Sequence, residues 1–314
     1  MTATFELILC VMILGTACVA LFVRDFLTAI AFFVVFGNLL GLAWLAMGAV
    51  NVALAEIAIG AGVTGVLLVL TRSRLLALGE EIACGPSRPW LRLGAAAACS
   101  AFTALLAAAV LSIAPGDDLA PVIDGLMPRI GLDNPVTGVL MAFRAYDTLL
   151  ESFVLLGALV AVWSLAPPAA WPQPPAALRM ADSAALNVAG SFGRLLLPVA
   201  LVMAAYLVWV GSDRPGGAFQ GGTVLAGGFL LAAMGGAIGL PRSDDPRLRW
   251  ALVAGPLVFL AIGLAGAATG RFLAYPDGTA KALIVTIEYV LAFSIGVTLA
   301  LLVAGPPARV GRGP

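Results

Sequence analysis

Between Gly48 and Leu70 the chain reads GAVNVALAEIAIGAGVTGVLLVL, which is apolar except at Asn51, Glu56 and Thr64. As a helix rising 1.5 Å per residue this run is about 35 Å long, enough to cross a bilayer. Glu56 lies roughly a third of the way in. A carboxylate at that depth costs about 2.5–3.5 kcal/mol on insertion scales. Side chains that costly face a protein interior or a water-filled cavity, and they mark ion or proton paths. The chain is therefore predicted to be a housing for Glu56 and a few acids like it. The plain alternative is an acid satisfied by a neighbouring helix, with no part in transport.

Composition extends the argument to the whole chain. Of 314 residues, 61% are hydrophobic and 11% charged, against about 25% charged in a soluble domain. The apolar residues come in runs of about 20, which predicts an all-α integral membrane protein with several spans. Thirty-six glycines suit helices that pack closely in lipid. Lys plus Arg equals Asp plus Glu at 17 each, and no basic cluster stands out, so nucleic acid is not an expected partner. The absence of histidine excludes a His-ligated haem, the usual zinc sites and a His-based triad. Cys10, Cys18, Cys84 and Cys99 form no Cys-x-x-Cys pair and read as small apolar helix residues. No metal, cofactor or catalytic centre is indicated. The N-terminus, MTATFE, has no basic residue before the first apolar run, so that run is expected to stay as a span.

Nine spans are expected, near 4–23, 26–47, 49–71, 91–114, 145–165, 190–211, 220–240, 249–269 and 282–304. Segments after the odd-numbered spans hold twelve basic residues: Arg24, Arg72, Arg74, Arg88, Arg92, Arg179, Arg194, Arg242, Arg247, Arg249, Arg309 and Arg312. The alternate segments hold five: Arg129, Arg144, Arg214, Arg271 and Lys281. The positive-inside rule then puts the N-terminus outside and the C-terminus in the cytoplasm. Three blocks are suggested. Residues 1–84 make a three-helix unit, and 85–170 a two-helix unit with a longer external loop. A proline-rich linker at 171–179 leads to a four-helix unit, 180–314.

Within these blocks a few polar residues stand out. Arg24 and Asp25 read as an interfacial anchor pair. Gly37/Gly41, Gly235/Gly239 and Gly266/Gly270 are small-residue pairs of the kind that bring membrane helices together. Asn51 and Glu56, five apart, point to different faces of a regular helix, but the glycines at 60, 62 and 65 allow it to bulge or unwind. Asp133 or Asn134 can cap a helix with Pro135 in its first turn. Such a helix is too long to cross the bilayer unbroken to Leu165, so part of it lies outside or bends. Arg144, Asp147 and Glu151 share a face, as an ion pair with an acid one turn deeper. That acid is either solvated or a point where cations enter or leave. The run GSDRPGGAFQGGTVLAGG, 211–228, lacks the Gly-Lys-Ser/Thr of a phosphate loop and reads as a tight turn. Lys281 and Glu288 are seven apart on one face of the last span, and Glu288 is the second acid at membrane depth.

Three of these segments, in this order, resemble one family. NVALAEIAIGAG (51–62) is similar to the DVALTEAAVGAG-like segment of a small three-helix, DUF4040-like subunit. That subunit is shared by membrane-bound hydrogenases and the long A subunit of Mrp/Mnh antiporters. VTGVLMAFRAYDTLLES (136–152) is similar to the DyRgfDTLgE segment of the two-helix subunit that follows. GSDRPGGAFQGGTVLAGGFLL (211–231) is similar to the GHNxPGGGFqGG signature of the Mrp/Mnh B subunit. The chain thus resembles a fusion of D-, E- and B-type modules of a multisubunit complex related to the membrane arm of complex I.

The resemblance implies a prokaryotic plasma-membrane location, with large antiporter-like subunits and small helical subunits as partners. Na⁺ or another monovalent cation, and protons, are the implied cargo. It carries over to Glu56, Arg144, Asp147, Glu151 and the signature residues Gly216, Gly217, Phe219, Gln220, Gly221 and Gly222. Asn51, Ala55 and Ser212 stand where the family has an acid, a threonine and a histidine. Those differences remove polar groups that a hard cation would want as ligands. The expected function is that of a cation/proton antiporter subunit with Glu56, Asp147, Glu151, Lys281 and Glu288 on the path. Two alternatives stand beside it: a membrane-arm subunit of a redox-driven complex, and a non-conducting spacer.

Overall fold

The computed structural model describes residues 3–77, 88–113, 116, 119–175, 183–268, 270–276 and 278–307. Among the described residues every regular element is helical. Cys84, Arg179, Arg309 and Arg312 fall outside them, and so does the expected linker beyond Pro175.

Helices α1 (Ala3–Phe22) and α2 (Phe26–Ala46) form an antiparallel pair. Asp25 caps α2 by accepting a hydrogen bond from the Thr28 amide at 2.7 Å, which places one of the helix's otherwise unpaired N–H groups. The third span starts as α3 (Val50–Ala55), loosens into a π-helical stretch at Glu56–Val63, and resumes as α4 (Thr64–Ala77). The looser winding covers Glu56 and its glycines. Here α2 packs closely: a β-carbon on Gly37 would lie 2.9 Å from that of Ala61, so the backbones meet only because the glycine is bare.

Helix α5 (Pro89–Ser112) is apolar, and every one of its described side chains is exposed. The expected external loop contains a helix, α6 (Ala120–Ile130), which ends at Gly131 with φ +69°. Prolines at 121 and 128 disguise it in the sequence, but a first-turn proline fits a helix start and the second lies near its end. The long helix after Pro135 does break: α7 (Pro135–Gly138) runs through a π-helical turn, Val139–Phe143, to Arg144 at φ −129°, ψ 34°. There α8 (Ala145–Ser164) begins. The Thr148 hydroxyl donates to the Leu140 carbonyl at 2.7 Å across the break, satisfying an acceptor that the irregular backbone releases.

The last four helices are α9 (Ser183–Val210), α10 (Ala218–Met234), α11 (Pro246–Ala268) and α12 (Ala280–Ala304). α12 is central and packs against α8, α9, α10 and α11. Its contact with α10 is close enough that a β-carbon on Gly296 would lie 2.8 Å from the Leu225 β-carbon.

Among the described residues, eight helices are long and apolar enough to cross a membrane, counting Val50–Leu76 as one. The remaining expected span, 220–240, is the 17-residue α10, about 26 Å long at 1.5 Å per residue. It stops because Gly235 caps it and Gly236 turns the chain at φ +68°. Gly235 is therefore the cap of the helix and Gly239 lies beyond it, with nothing within 4 Å of a β-carbon at Gly239. Gly270, at φ +115°, likewise lies beyond the end of α11.

Candidate functional site

The turn between α9 and α10 is where the three sequence segments meet. It folds back on α9 because the Gly211 and Gly217 amides both donate to the Leu207 carbonyl, at 3.1 and 2.9 Å. Gly217 has φ +124°, ψ −172°, a conformation that essentially only glycine adopts. Two other parts of the chain hold the turn from outside. The Asp133 and Asn134 amides donate to the Ser212 carbonyl, each at 3.1 Å. The Asn134 amide group donates to the Gly211 carbonyl at 2.9 Å, and the Thr137 hydroxyl donates to it at 2.6 Å. Asn134, Thr137 and Ser212 are all buried, so each hydrogen bond avoids the cost of an unpaired polar group in an apolar interior. From the first three spans, Asn51 Oδ1 accepts from the Gly216 amide at 3.0 Å, and the Asn51 carbonyl accepts from Gln220 Nε2 at 3.3 Å.

Glu288 enters this junction from α12. It is 4% exposed, and its carboxylate accepts from the Ala218 amide in the first turn of α10. Unpaired amides at a helix start favour negative charge, which offsets part of the cost of burial. A β-carbon on Gly217 would lie 3.0 Å from Glu288 Oε1 and 3.4 Å from Gln220 Oε1, so both oxygens crowd against the bare glycine. Oε2 of Glu288 is buried with no hydrogen-bond partner, and no basic side chain among the described residues pairs with it. Tyr275 stands at the same junction and donates to the Met141 carbonyl at 2.7 Å. Burial first, and the Glu288 charge second, raise its phenol above the usual range.

The other expected residues are dispersed. Lys281 pairs with Asp213 of the turn at 2.6 Å, not with Glu288. That ammonium holds the Asp213 carboxyl below its ordinary range, helped by the Ser212 hydroxyl at 2.9 Å. Arg144 meets Asp147 at 2.5 Å with both side chains more than half exposed. Glu151 is exposed on α8, while its neighbour Ser152 is buried. Glu56 is half-buried in the π-helical stretch, its Oε1 lying over bare Gly60. Of the signature residues, Gly221 and Gly222 face α9 and α12, where a β-carbon would meet Val208 and Ile295 at 2.8 and 2.7 Å. Phe219 packs on the main core.

Sequence reasoning missed Asn51, Asn134, Thr137 and Asp213 as members of the junction. Asn51 reads as a lost cation ligand; in the structure it ties α3 to the glycine turn. The available signal was its cost: an amide flanked by apolar residues inside a span needs a partner.

Fold and site together define a polytopic helical membrane protein in which a buried carboxylate is held where three separate stretches of chain converge. Its domains can be assigned more narrowly. Residues 188–305 match the domain related to the MnhB subunit of Na⁺/H⁺ antiporters, and residues 11–77 match MbhD, the D subunit of MBH. A solved structure of the Mrp complex from Dietzia sp. DQ12-45-1b contains a chain with the same fold, at a TM-score of 0.75 and 25% identity. The match covers 98% of this chain and 35% of that one, so the present chain spans about a third of its counterpart's length. The membrane-bound sulfane sulfur reductase, an archaeal respiratory membrane complex, shares the fold at a TM-score of 0.55 and 22% identity. That match covers 68% of this chain and 97% of the other. No curated protein matches the sequence.

Proposed function

We propose that the chain is a membrane subunit of a multisubunit Na⁺ (or other monovalent cation)/H⁺ antiporter complex, and that Glu288 is its central proton- or cation-handling group. One observation carries the reading. Glu288 is shielded from solvent within a helix long and apolar enough to cross a membrane, with one oxygen on a helix-start amide and the other unpartnered. A group meant only to hold helices together would have both oxygens satisfied, because an unmet buried polar atom costs about 1–3 kcal/mol. A group that must take up and release a proton or cation needs a free lone pair.

Gln220, whose Oε1 lies with Glu288 Oε1 beside Gly217, is hydrogen-bonded to Asn51 of the span that carries Glu56, which supports a path shared between modules. Asp147 and Glu151 lie toward the exposed side of α8 and would serve where a partner subunit covers them. Lys281, paired with Asp213, would stand at the mouth of the path. The cargo is Na⁺ or another monovalent cation against protons, in a prokaryotic plasma membrane with the N-terminus outside.

The test is Glu288→Gln in the assembled complex reconstituted in vesicles. The glutamine keeps the acceptor for Ala218 and removes the titratable group. Cation-driven proton flux is expected to fall about tenfold or more, a barrier increase of roughly 1.4 kcal/mol, with assembly intact. Unchanged flux in an intact complex refutes the assignment.

A further inference from the structure

Helix α10 is shorter than α11 and α12. At 1.5 Å per residue its 17 residues span about 26 Å, against about 35 Å for the 23 residues of α11 and about 38 Å for the 25 of α12. The chain that follows α10, from Gly235 to Pro241, does not fill the difference: Gly236 turns it at φ +68°, and a β-carbon on Gly239 would meet nothing within 4 Å. What remains is an open groove of about 290 Å³ between the end of α10, the start of α11 and the end of α12. Phe229, Leu240, Leu248, Val297 and Leu301 make its lining apolar.

Two charged side chains complete the wall, Asp245 and Arg247 at the start of α11. Asp245 Oδ1 accepts from the Arg247 amide at 2.9 Å, so that carboxylate is turned to the helix start. The other arginines of this segment are engaged. Arg242 pairs with Asp244 at 2.9 Å, and Arg249 donates to the Ser243 carbonyl at 3.2 Å. The Arg247 guanidinium has no ion-pair partner among the described residues. The groove lies within two turns of the helix ends, beside Trp250, which is 67% exposed. Exposed tryptophans at the ends of membrane spans settle at headgroup level. An apolar slot opening at that level beside an unpaired cation matches an amphiphile with an anionic head. The chain leaves water for the slot, and the head meets the fork of guanidinium donors. A soluble anion would leave the slot empty, and an apolar helix would leave the guanidinium without a counter-charge.

We propose that this groove holds one acyl chain of a membrane glycerophospholipid, with the lipid phosphate on Arg247. The proposal concerns lipid binding and does not rest on Glu288 or on ion transport.

The test uses the assembled complex, stripped of lipid in dodecyl maltoside and titrated with phosphatidylglycerol carrying a diazirine at mid-chain. Photolabelled peptides are mapped by mass spectrometry. Saturable label is expected within 229–248 and 297–301. Diacylglycerol with the same diazirine chain, which lacks the phosphate, is expected to need about fivefold more lipid for half-maximal label. Arg247→Gln should weaken labelling by phosphatidylglycerol to the level of diacylglycerol. Gly239→Phe puts a ring where the groove is open and should cut label there about tenfold while leaving label elsewhere on the chain unchanged. No label in the groove, as when another subunit fills it, overturns the proposal. So do phosphatidylglycerol curves that superimpose for the parent and both variants, or diacylglycerol labelling the parent as well as phosphatidylglycerol does. Should Arg247→Gln fail to assemble, the diacylglycerol comparison on the parent and Gly239→Phe still decide. Glu288→Gln is expected to label as the parent does, so failure here is separable from failure of the transport assignment.

Discussion

Replacing Gly217 with alanine probes the geometry that holds Glu288. The residue sits at φ +124°, ψ −172°, where a side chain costs about 1–3 kcal/mol in backbone strain. The new β-carbon would stand 3.0 Å from Glu288 Oε1, tighter than ordinary van der Waals contact. The carboxylate must then give by a few tenths of an ångström, which weakens its hydrogen bond from the Ala218 amide, a bond worth at most about 1.5–3 kcal/mol. The backbone has little freedom to relax, because the Gly217 amide is tied to the Leu207 carbonyl and its carbonyl to the Gly221 amide at 3.0 Å. The expected destabilisation is therefore at least the backbone strain of about 1–3 kcal/mol, rising to about 6 kcal/mol with full loss of that hydrogen bond. It can be read as the shift in equilibrium unfolding of the purified chain in mixed detergent micelles, followed by tryptophan fluorescence. Gly227→Ala is the control: it lies within α10, a β-carbon there meets nothing within 4 Å, and alanine should be neutral or stabilising by up to about 1 kcal/mol. A double-mutant cycle of Gly217→Ala with Glu288→Ala should return a coupling of about 0.5–3 kcal/mol. A Gly217→Ala protein within about 0.5 kcal/mol of the parent, or a cycle with no coupling, would refute the reasoning.

Asn51→Ala removes the acceptor for the Gly216 amide and is expected to cost about 1–2 kcal/mol. Asn51→Asp keeps that acceptor and should recover most of the loss in the same assay. The Asp213–Lys281 pair makes stability pH-dependent. Since the Asp213 carboxyl is held below its ordinary value of 3.8, its contribution is present above that pH and disappears as pH falls through the depressed folded value. Both side chains are more than a third exposed, so the contribution is about 1 kcal/mol or less. Acid unfolding of Asp213→Asn should lack that increment, and salt should shrink it in the parent. At the opposite end of α12, Arg74 donates to the Ala304 carbonyl at 3.3 Å; Arg74→Gln should cost about 0.3–1 kcal/mol by removing a cation from a helix C-terminus.

Much of the architecture was legible in the order of residues. Lipid forces backbone polar groups to pair within each segment, so long apolar runs could only be helices. Their limits followed from prolines, glycines and charges. Glu288 stood out equally in the sequence, because a carboxylate inside such a run is too costly to overlook; Glu56 reads the same way but is only half-buried, and Glu151 is exposed. Helix α10 was overextended because a glycine pair reads alike in a helix interior and just beyond its end, and only the backbone turn at Gly236 separates the two. Helix α6 was hidden because its prolines could equally have marked a loop.

Which polar groups meet was beyond the sequence. Lys281 and Glu288 share a helical repeat, yet Lys281 reaches Asp213, 68 residues earlier in the chain. Asn51 reaches Gly216 across 165 residues. Local spacing fixes which residues share a face of one helix. It carries no information about which face of another helix arrives opposite, because that depends on how bare glycine surfaces let the helices close together. The chain's own residue order therefore determined the spans and their acids, and the packing of α10 and α12 around Gly217 decided that Glu288 alone, among those acids, is sealed at the junction of all three stretches.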